Sequence, residues 1–235
     1  MAKRGGRETE MIKLEHVVLA SPEQMEFIIE GMRNSMNSWE KSDSEVTLEQ
    51  LVWRDEKIPD KFKLGPDDHS LMQRLSNAGA DYRKFMRMMP VYVRITAPLY
   101  WWEEFDIYKV GTVANSCGTM TMHKIQEKEF TLDDFSIEHL NDDRSAELSN
   151  VEWLEHLIHH LNRDRLRFIE TKNKQYWWQM IQLLPSSYNQ TRNVMMNYEV
   201  LANIYKSRKN HKLDEWQEFC KWIEELPYSE LILSA

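Results

Sequence analysis

Asn197–Arg208 reads NYEVLANIYKSR. At about 100° per residue on a helix, Val200, Leu201 and Ile204 share one face. Asn197 and Arg208 fall on that same face, one at each end. An amide and a guanidinium are costly to bury on an apolar stripe unless something bonds to them. The one acid nearby, Glu199, points elsewhere. Two readings stay open. The pair belongs to a buried structural network, or the Arg reaches out past the helix end. Alternatively the helix presents both groups to another chain segment, a subunit or a polar ligand.

Outward from this helix, the C-terminal half reads as helix over 151–171, 174–184, 187–209 and 212–225, with Pro185 and the basic RKNHK between the later ones. Further upstream, Ile12–Ala20 alternates loosely, as a strand does. Ser21-Pro22-Glu23-Gln24 sets a Ser cap, a Pro and a Gln at helix-start spacing, and the helix should run to Met36. Residues 37–65 read as a long polar loop holding a short helix. Pro66–Ala78 reads as a helix stopped by Gly79. Val91–Ile95 is β-branched and aromatic, hence a strand. Pro98 then opens a helix, LYWWEEFDIYK, ending near Gly111. Residues 112–148 carry little periodicity. The order gives an α+β fold with a small mixed or antiparallel sheet and a largely helical C-terminal half. The strings YWW at 100–102 and 176–178 have different flanks and mark core aromatics rather than a repeat.

With 235 residues, 42% hydrophobic and 29% charged, the chain can bury a core as one large domain or two small ones; a single domain spanning 1–235 is expected, with 1–10 a frayed N-terminus. Nine Trp, nine Tyr, eight Phe and fourteen Met provide material for large cores or ligand platforms. Seven Gly, and no P-loop or GxGxxG string, oppose a glycine-built phosphate cradle. The net charge of −8 opposes nucleic-acid binding, though a local basic patch could hold a nucleotide. Cys117 and Cys220 form no CxxC and no disulfide scaffold, which fits a reducing cytoplasm. No apolar run long enough to span a bilayer is present, and MAKRGGRETE lacks the apolar core of a secretory signal.

Other groupings carry less. His156, His159 and His160 have helical spacing, but no HExxH accompanies them, and no metal is expected. Asp133, Asp134, Asp142 and Asp143 lack the Gly-centred pattern of a calcium loop. Cys117 has His123 and Lys124 nearby in sequence only, so an inert thiol is the better reading. No catalytic residue is assigned.

Thr96–Thr119, TAPLYWWEEFDIYKVGTVANSCGT, combines with NYEVLANIYKSR into a more specific pattern. Together they resemble the flavin-dependent thymidylate synthases, the ThyX family. In that family a strand ends in A-P, and a helix runs into the signature R-H-R-x-x-S. Counted from Ala97-Pro98 without a gap, Ile107, Tyr108, Lys109 and Thr112 occupy the signature positions. Ala114, Asn115, Cys117, Gly118 and Thr119 stand where the family has N-E-x-S-G-R. Leu184-Pro185 matches an L-P pair. Asn197, Glu199, Leu201, Asn203 and Arg208 follow the spacing N-x-R-x-L-x-N-x-x-x-x-R, and Glu215-Trp216 follows one residue late.

The resemblance implies a ThyX-like fold, a homotetramer with a site between subunits, and a nucleotide-like ligand. It implies flavin-side roles for Asn197, Asn203, Tyr108 and Lys109. It implies substrate-side roles for Arg208, Glu104, Thr112, Asn115, Cys117 and Thr119. An active enzyme would use FAD, NADPH and methylenetetrahydrofolate to methylate dUMP, or to modify C5 of a related deoxyuridine nucleotide. The departures cut against that chemistry. Ile107 and Lys109 replace the signature arginines, Tyr108 its His, Thr119 a phosphate-binding Arg, Glu199 the internal helix Arg and Glu104 a Gln. The flavin-binding His upstream has Tyr82 as its nearest candidate. Lysine lacks the bidentate fork of arginine, and Ile and Glu lack the donor altogether. Weak FAD binding or none is therefore expected. The alternative to an enzyme is a catalytically inactive ThyX-fold protein that binds or sequesters a nucleotide-like ligand.

Overall fold

The computed structural model describes residues 11–51, 56–116, 122–141 and 148–235; of residues 48–51, 56–59, 116 and 122 it describes the backbone alone. In chain order the elements are β1 (Lys13–Leu19), α1 (Pro22–Asn34), β2 (Glu45–Leu51), β3 (Glu56–Lys63), α2 (Pro66–Asn77), β4 (Pro90–Pro98), α3 (Leu99–Phe105) and β5 (Val113–Ser116). There follow α4 (Asn150–Thr171), α5 (Lys174–Leu183), β6 (Asn189–Asn197), α6 (Tyr198–Arg208), α7 (Asp214–Glu224) and α8 (Glu230–Leu233). One sheet runs in the order β1-β4-β6-β5, and β2 and β3 form a separate two-stranded antiparallel sheet. The fold is α+β, as the sequence indicates. The chain divides into two compact units. The first holds residues up to 15 with 94–107 and 114–193, and the second holds 16–93, 108–113 and 194–235.

In the first unit, α4 and α5 pack together over Ile125, Phe130, Phe135, Leu161 and Met180. Ser149 and Glu152 close a capping box at the start of α4. Trp101, Trp102 and Phe105 of α3 are fully buried, and Trp102 donates its indole N–H to the Gln190 carbonyl at 2.9 Å. The Arg192 guanidinium lies 4.2 Å from the Trp102 ring and pairs with Asp106 at 2.7 Å. In the second unit, α6 packs against α7 and α8, and Leu201, Ile204, Trp216, Phe219 and Leu231 of these helices are fully buried, while α1 lies against the β2–β3 hairpin.

The expected strand over Ile12–Ala20 and the helix beginning at Pro22 are present, and Ser21 and Gln24 form the capping box. α2 is present, and beyond it Gly79 has φ of 102°. Three local expectations change. The stretch 187–209 is a strand followed by a helix, because 189–197 pairs into the sheet and the helix begins at Tyr198. The helix after Pro98 ends at Phe105, leaving 107–111 as a turn and not helix. Residues 37–65 hold the β2–β3 hairpin besides a short 3-10 turn at Trp39–Lys41.

Candidate functional site

Because the helix starts at Tyr198, Asn197 does not sit on its apolar face. It ends β6 in extended geometry and caps α6, its Oδ1 accepting from the Val200 N–H at 3.0 Å. Asn is among the preferred N-cap residues because its side chain satisfies an otherwise orphan helix N–H. The amide that a helical wheel leaves without a partner thus has a local one. Beside this cap lies Gly111, with φ of 81°. A Cβ at Gly111 would come within 2.9 Å of Val200 Cγ2 and 3.2 Å of Asn197 Nδ2, so this turn lies directly on the start of α6.

At the other end of α6, Arg208 also has partners that sequence spacing did not reveal. Its Nε donates to the Tyr108 hydroxyl at 2.9 Å, and that hydroxyl shares a hydrogen bond of 2.6 Å with Ser207 Oγ. The guanidinium carbon lies 4.8 Å from the Trp216 ring and 5.7 Å from the Tyr108 ring. Two aromatic rings and one hydroxyl therefore lie against the Arg208 guanidinium. Tyr108 and Arg208, 100 positions apart, were linked in the sequence by resemblance alone. Trp216, noted in the sequence only as part of a Glu-Trp pair one residue late, completes the cluster.

Glu199 points away from Arg208, as the helical wheel indicates. It is buried, and its carboxylate pairs with Arg83 Nε at 2.7 Å. Thr112 Oγ1 is shielded from solvent and, among the described residues, has no hydrogen-bond partner. Lys109 and Asn203 are exposed, and Asn203 lies off the apolar face of α6. These positions all belong to the second unit, together with Asn197, Tyr108 and Arg208. Glu104, half-buried on α3, and Asn115, exposed on β5, belong to the first. Cys117 and Thr119 lie outside the described residues, and so does the acidic pair Asp142–Asp143. Tyr82 is exposed. His156, His159 and His160 all face solvent, and among the described residues no three His, Cys, Asp or Glu side chains gather as a metal site. No described helix is long and apolar enough to cross a membrane.

Solved structures supply the comparison. A flavin-dependent thymidylate synthase ThyX from Helicobacter pylori, complexed with FAD and dUMP, superposes with a TM-score of 0.59 at 18% identity, over 94% of this chain and 96% of that one. The fold is that of ThyX. A second H. pylori ThyX structure with FAD and dUMP has the same TM-score at 17% identity. PolB from Streptomyces cacaoi, a UMP/dUMP methylase bound with 5-Br dUMP, superposes with a TM-score of 0.58 at 11% identity, over 95% of this chain and 94% of that one. At such identities the likeness is one of fold. No protein-family model matches the chain, and no curated protein does.

Proposed function

We propose that this chain is a ThyX-like nucleotide-binding protein whose ligand is a deoxyuridine nucleotide or a close analogue, bound at the C-terminal end of α6. The observation that carries the reading is the Arg208 guanidinium, which bonds Tyr108 and lies 4.8 Å from the Trp216 ring. A planar guanidinium buttressed by these neighbours suits the edge of a pyrimidine base better than a mobile ammonium would. Thr112, whose hydroxyl has no partner among the described residues, supports a polar ligand beside it. Glu104, Asn115, Cys117 and Thr119 remain substrate-side proposals on resemblance alone.

The residues at the flavin positions do not fit FAD held as the ThyX signature holds it. A flavin diphosphate needs cationic donors. Ile107 offers none, Lys109 is a single exposed ammonium, and Tyr108 is committed to Arg208 and Ser207. Asn197 Oδ1 is committed to the helix cap, and Glu199 sets a buried carboxylate where the family has an arginine. The reading is therefore a ThyX-fold binder that has kept a base-side arginine and lost the flavin chemistry. The second reading is flavin-dependent methylation of dUMP or a related C5 modification. It is favoured by the FAD and dUMP found in the fold neighbours. A homotetramer is part of either reading.

The test is calorimetric titration of dUMP into the wild type and Arg208→Ala, with melting curves of both. Saturable binding by the wild type, lost in a variant that melts within a few degrees of it, supports the assignment. An Ala variant that melts much earlier yet binds normally overturns it. Copurified stoichiometric FAD, or robust dUMP-dependent NADPH oxidation, moves the enzyme reading ahead.

A further inference from the structure

A cavity of about 390 Å³ lies within the second compact unit, among α1, the short turn at Trp39–Lys41 and the β2–β3 hairpin. That volume suits a small organic molecule. Three aromatic side chains line it, Phe27, Trp39 and Phe62, of which Phe27 is 63% and Trp39 52% exposed. Three carboxylates line it as well. Glu23, Glu26 and Glu30 stand at i, i+3 and i+7 on α1 and so form one stripe.

Among the described lining residues the one cation is Arg33, which is 6% exposed. Its charge is already matched, because its Nε donates to Asp68 Oδ1 at 2.7 Å and Asp68 is fully buried. The hydroxyls of Ser42 and Ser44, also in the lining, both donate to Asp68 Oδ2, at 2.8 and 2.7 Å. Among the described residues, buried Arg33 Nη2 has no hydrogen-bond partner. A buried donor of this kind calls for an acceptor.

Aromatic faces and carboxylates both attract positive charge, and aromatic walls favour alkylated ammonium groups that shed water easily. The same three carboxylates oppose a phosphate, so this cavity does not duplicate the nucleotide site proposed above. We infer that it binds a small organic cation, an alkylated ammonium carrying a carbonyl or ether oxygen that accepts from Arg33.

Acetylcholine, which joins a quaternary ammonium to an ester carbonyl, is a suitable probe. It should bind the intact protein saturably. Its uncharged carbon isostere, with tert-butyl in place of trimethylammonium, should bind about tenfold more weakly or worse. Tetramethylammonium, which has the charge without the acceptor, should also bind more weakly. Trp39→Ala and Glu26→Gln/Glu30→Gln replace exposed side chains, so the melting curve should hold while acetylcholine affinity falls about tenfold. Arg33→Lys keeps a cation for Asp68 but removes Nη2, and should bring acetylcholine down to the level of tetramethylammonium. The inference is overturned if no probe saturates by about 10 mM, if the neutral isostere binds as well as acetylcholine, or if Trp39→Ala leaves binding unchanged. Competitive displacement of acetylcholine by dUMP would overturn it too, since the two sites are held to be separate.

Discussion

Asp68 stays ionised although it is fully buried. Burial pushes its carboxyl up, but hydrogen bonds from Ser44, Ser42 and Arg33, together with the Arg33 charge, outweigh burial and hold it below the usual carboxylate range. A carboxyl whose folded value is depressed contributes stability above its unfolded value, near about pH 4, and loses it as pH falls through the folded value. Asp68→Asn should therefore cost about 3–5 kcal/mol at neutral pH, because Arg33 would be buried without its partner. The gap between wild type and variant should narrow in acid, which melting temperatures across a pH series will show. Cys220 behaves oppositely. Burial, then Glu224, push its thiol up to about 11, with Arg208 pulling weakly the other way. In a Cys117→Ser background Cys220 should resist a thiol reagent at about pH 8 until the protein unfolds; prompt labelling of the folded protein would contradict this. Tyr108→Phe removes the hydroxyl that joins Arg208 to Ser207. It should lower stability by about 1 kcal/mol, and it should weaken dUMP binding if the plane of the Arg208 fork matters. Of this cluster, Arg208 was singled out in the sequence by its helix spacing and by the resemblance to ThyX. The Tyr108 and Trp216 partners were not, because a hydrogen bond across 100 positions leaves no local periodicity.

At the scale of elements, local chemistry was readable where it was self-contained. The capping box of α1 is one such case: Gln24 N–H donates to Ser21 Oγ at 3.2 Å, and Ser21 N–H to Gln24 Oε1 at 2.9 Å. Ser21→Ala should cost about 1 kcal/mol, read from a denaturant melt. The β2–β3 hairpin was hidden because its charged, irregular sequence lacks clean alternation. Its register shifts between Thr47 and Leu48, and Pro59, opposite Leu48, lies at that irregularity, where the sheet tolerates a residue with no N–H to give. The strand half of 187–209 was hidden for a different reason. NQTRNVMMN has no strict period, and its burial alternates only in part. Pairing within the four-stranded sheet decided it. Gly111 shows an element boundary set by contact. Its φ is positive, and Val200 Cγ2 lies 2.9 Å from where an alanine methyl would stand. Gly111→Ala should therefore destabilise the protein and perturb the α6 cap together. Amide exchange at Val200 as slow in the variant as in the wild type would argue against that coupling.

For the whole molecule, the expected assembly is a homotetramer. Val110 is 92% exposed, and Ile107, Val113 and Trp153 are also large apolar side chains facing solvent. Light scattering at micromolar concentration should report a tetramer, and a monomer would sink a site shared between subunits. The sequence by itself determined the α+β composition, the capped start of α1 and, through the spacing from Asn197 to Arg208 and from Ala97-Pro98 onward, a resemblance to the ThyX fold. These features depend on residues close in the chain or on counts along it. Only the tertiary structure decided where the helix after Asn197 begins, what holds Arg208, and that Glu199 answers Arg83. It also decided that Arg33 and Asp68 form a buried pair beside an acidic, aromatic-lined cavity. Each of these depends on groups distant in sequence meeting in a space that excludes water, where a hydrogen bond or charge must find its partner, and no local pattern encodes which partner that will be.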